Sequence, residues 1–83
     1  MSNKVIDFPQ YRKLSNDKVF YRIISDRKFD EIQVIGKTAQ LHKIEAKQYP
    51  EMLRIKDLLA LSMSGFEAST KEEFDNVLNR YSL

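Results

Sequence analysis

Eighty-three residues, 42% of them apolar and 31% charged, make one folded domain spanning 1–83, too small for two and too apolar for disorder. A chain of this size buries only about 60–65% of its unfolded surface, which leaves no room for a deep internal cavity. It has no cysteine, so neither a disulfide framework nor thiolate chemistry is available.

The stretch Met1 to Asp7 lacks the long apolar run of a signal peptide. The Leu58–Leu61 run is bounded by Asp57 and Ser62, far short of the ~20 residues that cross a bilayer. Both features point to the cytoplasm and away from a membrane. The net charge of +2 is unevenly spread: residues 1–28 carry seven Lys/Arg against three Asp, and residues 29–83 carry seven against nine acids. An anionic partner would be sought on the basic half.

Residues 1–17 are the least regular part and read as an N-terminal arm. Pro9 and Ser15-Asn16-Asp17 mark loop or turn, while Val5, Ile6, Phe8, Tyr11 and Leu14 would hold the arm against the domain. Residues 18–24 and 29–35 are rich in β-branched and aromatic types and are expected to form a β-hairpin. A two- or four-residue turn within Ser25–Lys28 sets a register in which Val19 faces Val34, Tyr21 faces Ile32 and Arg22 faces Glu31. In that register Val19, Tyr21, Ile23, Ile32 and Val34 form the core face. Phe20, Arg22, Ile24, Phe29, Glu31, Gln33 and Ile35 form the opposite face, and Gly36 ends the hairpin.

Residues 38–48 are ambiguous. Helix propensity and poor alternation favour a helix, whereas Ile44 following a hairpin fits a third, edge strand. Tyr49 precedes a proline and stops this element, and Pro50 suits the first turn of the next helix. From Met52 to Met63, the residues Met52, Ile55, Leu58, Leu59 and Met63 share one stripe, with Leu53 and Leu61 outside it. Ser64-Gly65 should end this helix, with Phe66 folding back onto Leu61. Ser69 to Glu72 reads as a capping box, with Thr70 to Glu73 as the overlapping alternative. Phe74, Val77, Leu78 and Tyr81 then make a stripe about 100° wide, the mark of a C-terminal amphipathic helix. The expected fold class is α+β: a β-hairpin, or a three-stranded antiparallel sheet, packed against two to three helices.

Little in the chain suggests catalysis. His42 is the only histidine, and one His near Glu45 falls short of the three protein ligands of a catalytic zinc site. Asp30 and Glu31 point to opposite faces of a strand, and Glu72-Glu73 suits a helix first turn. The two glycines are too far apart for a phosphate loop. The expectation is therefore no catalytic residue, no metal, no cofactor and no small-molecule substrate.

Two binding surfaces remain. Phe20, Ile24, Phe29 and Ile35, with Arg22 beside them, would form an apolar patch on the outer hairpin face. The N-terminal arm, a protein partner or a second copy of the chain would cover it. The leading function is thus a small non-catalytic protein-binding module, a regulator or inhibitor of a larger machine or a homodimer. The alternative is nucleic-acid binding through Arg12, Lys13, Lys18, Arg22, Arg27 and Lys28, where cations alternate with aromatics.

Overall fold

The strand-forming runs at Val19–Ile23 and Lys28–Ile35 pair as expected, but within a larger sheet. The computed structural model describes residues 7–62 and 64–83. In chain order they form β1 (Gln10–Leu14), β2 (Val19–Ile23), β3 (Lys28–Ile35), β4 (Thr38–Glu45), α1 (Tyr49–Ala60), β5 (Phe66–Ala68) and α2 (Lys71–Arg80). The fold is α+β, a five-stranded antiparallel sheet in the order β4-β3-β2-β1-β5. The first four strands form a meander. Helix α1 then crosses one face and delivers β5 to the far edge, beside β1.

The β2–β3 register differs from the expected one by one residue. Val19 faces Gln33, Tyr21 faces Glu31, Arg22 faces Asp30 and Ile23 faces Phe29. The reason is the turn. The N–H of Ile24 donates to the carbonyl of Lys28 at 2.9 Å, so the connection is the three residues Ser25-Asp26-Arg27. An odd-length connection moves every pairing by one and exchanges faces on one strand. The Ser25 hydroxyl accepts from the N–H of Arg27 at 3.1 Å and holds this turn.

Both faces of the sheet consequently carry a core. On one face Tyr21, Ile23 and Phe29 pack with Ile55 and Leu58 of α1. On the other, Tyr11, Phe20 and Ile32 pack with Phe74 and Val77 of α2. Ile32 and Val34 therefore lie opposite Tyr21 and Ile23, not beside them. A sheet covered by helices on both sides shows near-continuous apolar strands instead of clean alternation.

Three further expectations are corrected. Residues 10–14 of the supposed arm form β1, paired with β2 and with β5; Val5 and Ile6 lie outside the described residues. Residues 38–45 form a strand, the edge-strand alternative, in place of the favoured helix. The strand alternates poorly because it serves both cores: Ala39 and Leu41 lean on the α2 side and Ile44 on the α1 side. The two-residue Gly36-Lys37 turn into it needs the positive φ of +61° that Gly36 supplies. Finally, α1 ends at Ala60, earlier than expected. Leu61 takes a left-handed conformation, and the N–H of Ser62 reaches back to the carbonyl of Asp57 at 3.2 Å. Phe66 does not close that cap; it enters β5 and stacks on Tyr21 with ring centroids 5.9 Å apart.

The helical stripes fold as expected. Ile55 and Leu58 are buried, Met52 and Leu59 flank them, and Leu53 and Leu61 are exposed; Met63 lies outside the described residues. The Glu51 carboxylate accepts from the N–H of Gln48 at the start of α1, at 3.4 Å. In α2, Phe74 and Val77 are buried and Leu78 and Tyr81 border them. Of the two capping registers the structure takes the second: the Thr70 hydroxyl accepts from the N–H of Glu73 at 3.1 Å.

Candidate functional site

The outer hairpin residues do not form one surface. Phe20 is buried under α2, and Phe29, of opposite parity, is buried under α1. Only Ile24 and Ile35 remain exposed, at 44% and 55%. Arg22 does not meet Glu31. It reaches Asp30, its cross-strand neighbour, donating from Nε and Nη2 to one carboxylate oxygen at 3.0 and 2.7 Å.

The basic residues are also dispersed. The Arg12 guanidinium donates to the carbonyls of Leu58 and Leu59 at 2.8 and 3.2 Å, at the C-terminal end of α1, and burial lowers its pKa. The Leu58 carbonyl also accepts from the Leu61 N–H at 3.3 Å, and both carbonyls sit at the negative end of the helix dipole, so a cation there is a structural clamp. Lys13 lies 2.8 Å from both Asp17 and Glu73, whose hydrogen bonds raise its pKa. Lys18, Arg27 and Lys28 are exposed, with Lys28 within 3.8 Å of Glu45. Four of the six cations are thus partnered within the chain, and the six do not make a continuous basic surface.

The two buried acids have separate solutions. Asp30 is paired with Arg22 on the α2 side. Glu31, on the α1 side, accepts from Gln33 at 3.0 Å and lies 3.9 Å from Arg54. Burial, then the Glu31 carboxylate, pushes the neighbouring Tyr21 hydroxyl up to about 12. His42 faces Glu31 across the strands and is exposed. Among the described residues no buried side-chain polar atom lacks a hydrogen bond, and no group of three metal-ligating side chains occurs.

Among the described residues, nothing pairs with the outer edge of β4. Strand β4 is eight residues long, and its register with β3 runs unbroken from Ile35–Thr38 to Lys28–Glu45. The register continues one step further, where the N–H of Ala46 donates to the carbonyl of Arg27 at 2.6 Å. In an antiparallel ladder, paired residues alternate between bonding each other and pointing their polar groups outward. Even-numbered residues of β4 therefore bond to β3. The N–H and C=O groups of Ala39, Leu41, Lys43 and Glu45 point away from the sheet.

Such an edge is a template for another strand unless charged side chains, proline, a bulge or a cover blunts it, and the outward row of β4 carries charge only at Lys43 and Glu45. Strand β4 has neither proline nor bulge. The opposite edge, β5, is only three residues long. Near the Glu45 end two clefts of about 370 and 210 Å³ share Phe29 and Ile44 as walls. The first is bordered by exposed Ile24, the second by Pro50 and Arg54 of α1.

Comparison with family models, with curated proteins and with solved structures finds no match for this chain. The sequence leaves residues 38–48 open between a helix and an edge strand, so the edge residues are not singled out as a site. The signal that could have exposed them is the pair Gly36-Lys37 between two apolar runs, a two-residue hairpin turn. Among the described residues no helix is long and apolar enough to cross a membrane.

Proposed function

We propose that this chain is a small non-catalytic binding module of the cytoplasm that acts by contacting another protein, as a regulatory or inhibitory domain. The observation that carries the reading is the β4 edge, unpaired among the described residues, with the outward backbone groups of Ala39, Leu41, Lys43 and Glu45 in an unbulged row. An extended segment of a partner would add to it as a sixth strand. Main-chain hydrogen bonds would supply affinity, and the clefts beside Ile44 would select side chains. Exposed Ile24 and Ile35 would border the same surface. The nucleic-acid reading has weaker support, because Arg12, Lys13 and Arg22 already serve carbonyls and carboxylates.

The test compares the tagged chain with a Lys43→Pro variant. Position 43 points its N–H outward, so proline there blocks an added strand and leaves the β3 ladder intact. Proteins recovered with the parent should resist high salt and should be lost with the variant. Recovery of nucleic acid that high salt releases would instead favour the basic half. Identical proteins recovered by both chains would overturn the edge as the binding site.

A further inference from the structure

The geometry points to a specific occupant of this edge: we infer that β4 pairs antiparallel with β4 of a second copy, about a two-fold axis at Leu41. This inference rests on the binding reading above and names its partner.

The argument starts from which residues present hydrogen-bonding groups outward. They are the odd-numbered ones, so a two-fold pairing must match odd residues with odd residues. Only a few such registers overlap the strand well. An axis at Lys43 sets two ammonium groups directly opposite each other, which is unfavourable. An axis at Ile44 engages only the last part of β4 and drives Leu41 against Lys47, beyond the strand end at Glu45. An axis at His42 places Leu41 against Lys43 and Ala39 against Glu45, so that each apolar residue meets a charge.

The axis at Leu41 has no like-charge pair and gives Leu41 an apolar partner, leaving Ala39 with Lys43 as its one apolar–charge pair. Leu41 meets Leu41 of the second copy, and Ala39 meets the aliphatic stem of Lys43. Gln40 meets His42, and Thr38 meets Ile44. No like charges face each other, and seven of the eight β4 residues, Thr38 to Ile44, pair strand with strand, a length of about 24 Å at ~3.4 Å per residue. The side chains continue the existing layers. Leu41 lies beside Ile32 in the β3–β4 register, on the face where Ile32 and Phe20 pack under α2. The pairing therefore joins the two α2-side cores into one apolar row, Ile32–Leu41–Leu41–Ile32. Leu41 is only partly covered within one chain, and this contact completes its burial. The product is a ten-stranded sheet in which the long edges of both copies are closed and only the short β5 edges remain.

The chain has no cysteine, so a single introduced cysteine reports only its own position. At the axis the two Leu41 Cα atoms would be roughly 5.5 Å apart, within disulfide reach. The two His42 residues would be diagonal neighbours about 7–8 Å apart, and their bridging is disfavoured. The experiment uses the full chain. Sedimentation of the parent across a concentration series should show the mass rising from 9.8 kDa to twice that value. Lys43→Pro should abolish the rise, and Lys43→Ala should keep it. Under mild oxidation Leu41→Cys should crosslink to a dimer and His42→Cys should not.

A dimer that survives Lys43→Pro uses another surface and overturns the inference. Crosslinking by His42→Cys in preference to Leu41→Cys overturns it by placing the axis elsewhere. Circular dichroism of each variant shows whether it is folded, and the parent's mass decides the matter independently of any variant. A parent that stays at 9.8 kDa, yet captures a different protein in a manner lost with Lys43→Pro, overturns self-pairing and leaves the binding reading standing.

Discussion

Arg22 holds the buried carboxylate of Asp30 from the adjacent strand while its guanidinium carbon lies 4.7 Å from the centre of the Phe74 ring. One side chain thus links β2, β3 and α2 through an ion pair and a cation–π contact. Removing it leaves Asp30, only 3% exposed, without its cation. Arg22→Ala should cost about 3 kcal/mol, the low end for breaking a buried pair because Arg22 itself is partly hydrated. Arg22→Met with Asp30→Asn should recover part of that loss. Urea unfolding of the three chains measures both effects.

Phe20 and Phe29 should separate sharply from Ile24 and Ile35 by stability. Phe20→Ala and Phe29→Ala each empty a core and should cost about 3–5 kcal/mol. Ile24→Lys and Ile35→Lys act on exposed positions and should stay within about 0.5 kcal/mol of the parent. Large losses from both lysine variants would mean that this surface is covered within the chain.

Tyr21 makes the fold sensitive to alkali. Its neutral form is favoured in the folded chain, so its folded pKa stands above the ordinary value of 10.0, at about 12. The stability it contributes is complete below pH 10.0 and drains away as pH rises toward about 12. Tyr21→Phe should flatten that part of the stability profile, measured as the urea midpoint at several alkaline pH values.

Glu73 acts at the other end of the scale. Hydrogen bonds from Lys13 and Ser69 hold its carboxyl below the ordinary value of 4.5. Its contribution is therefore present above pH 4.5 and is lost as pH falls below it. Glu73→Gln should reduce the acid dependence of unfolding. Thr70→Ala, which removes the hydroxyl that caps the Glu73 N–H, should cost about 1 kcal/mol at neutral pH.

The two helices were legible because each buries one stripe, and a stripe leaves a period in the sequence. Ile55 with Leu58, and Phe74 with Val77, are spaced as one helix face requires. The sheet was less legible for three physical reasons. A sheet with two cores has no polar face, so Phe20 and Phe29 looked like a patch when each was a core residue on its own side. The register hung on one residue of turn length, which Ser25–Lys28 does not advertise. And β1 and β5 are specified by distant groups: Arg12 faces the α1 side because the carbonyls of Leu58 and Leu59 receive it, a reason invisible to any local pattern. Phe66–Ala68 is too short to have a period at all.

A sheet with a core on each side also sets an order of events during synthesis. The four-strand meander is complete by Glu45, yet neither of its greasy sides has a cover at that stage. One waits for α1 and the other for α2, which emerges 26 residues after β4 has ended. A nascent chain stopped between them would carry bare aromatic surface and an open strand edge together, the combination most prone to aggregate. Loss of α2 would therefore yield a sticky fragment in place of a shorter domain, and the meander gains protection only when the last helix arrives.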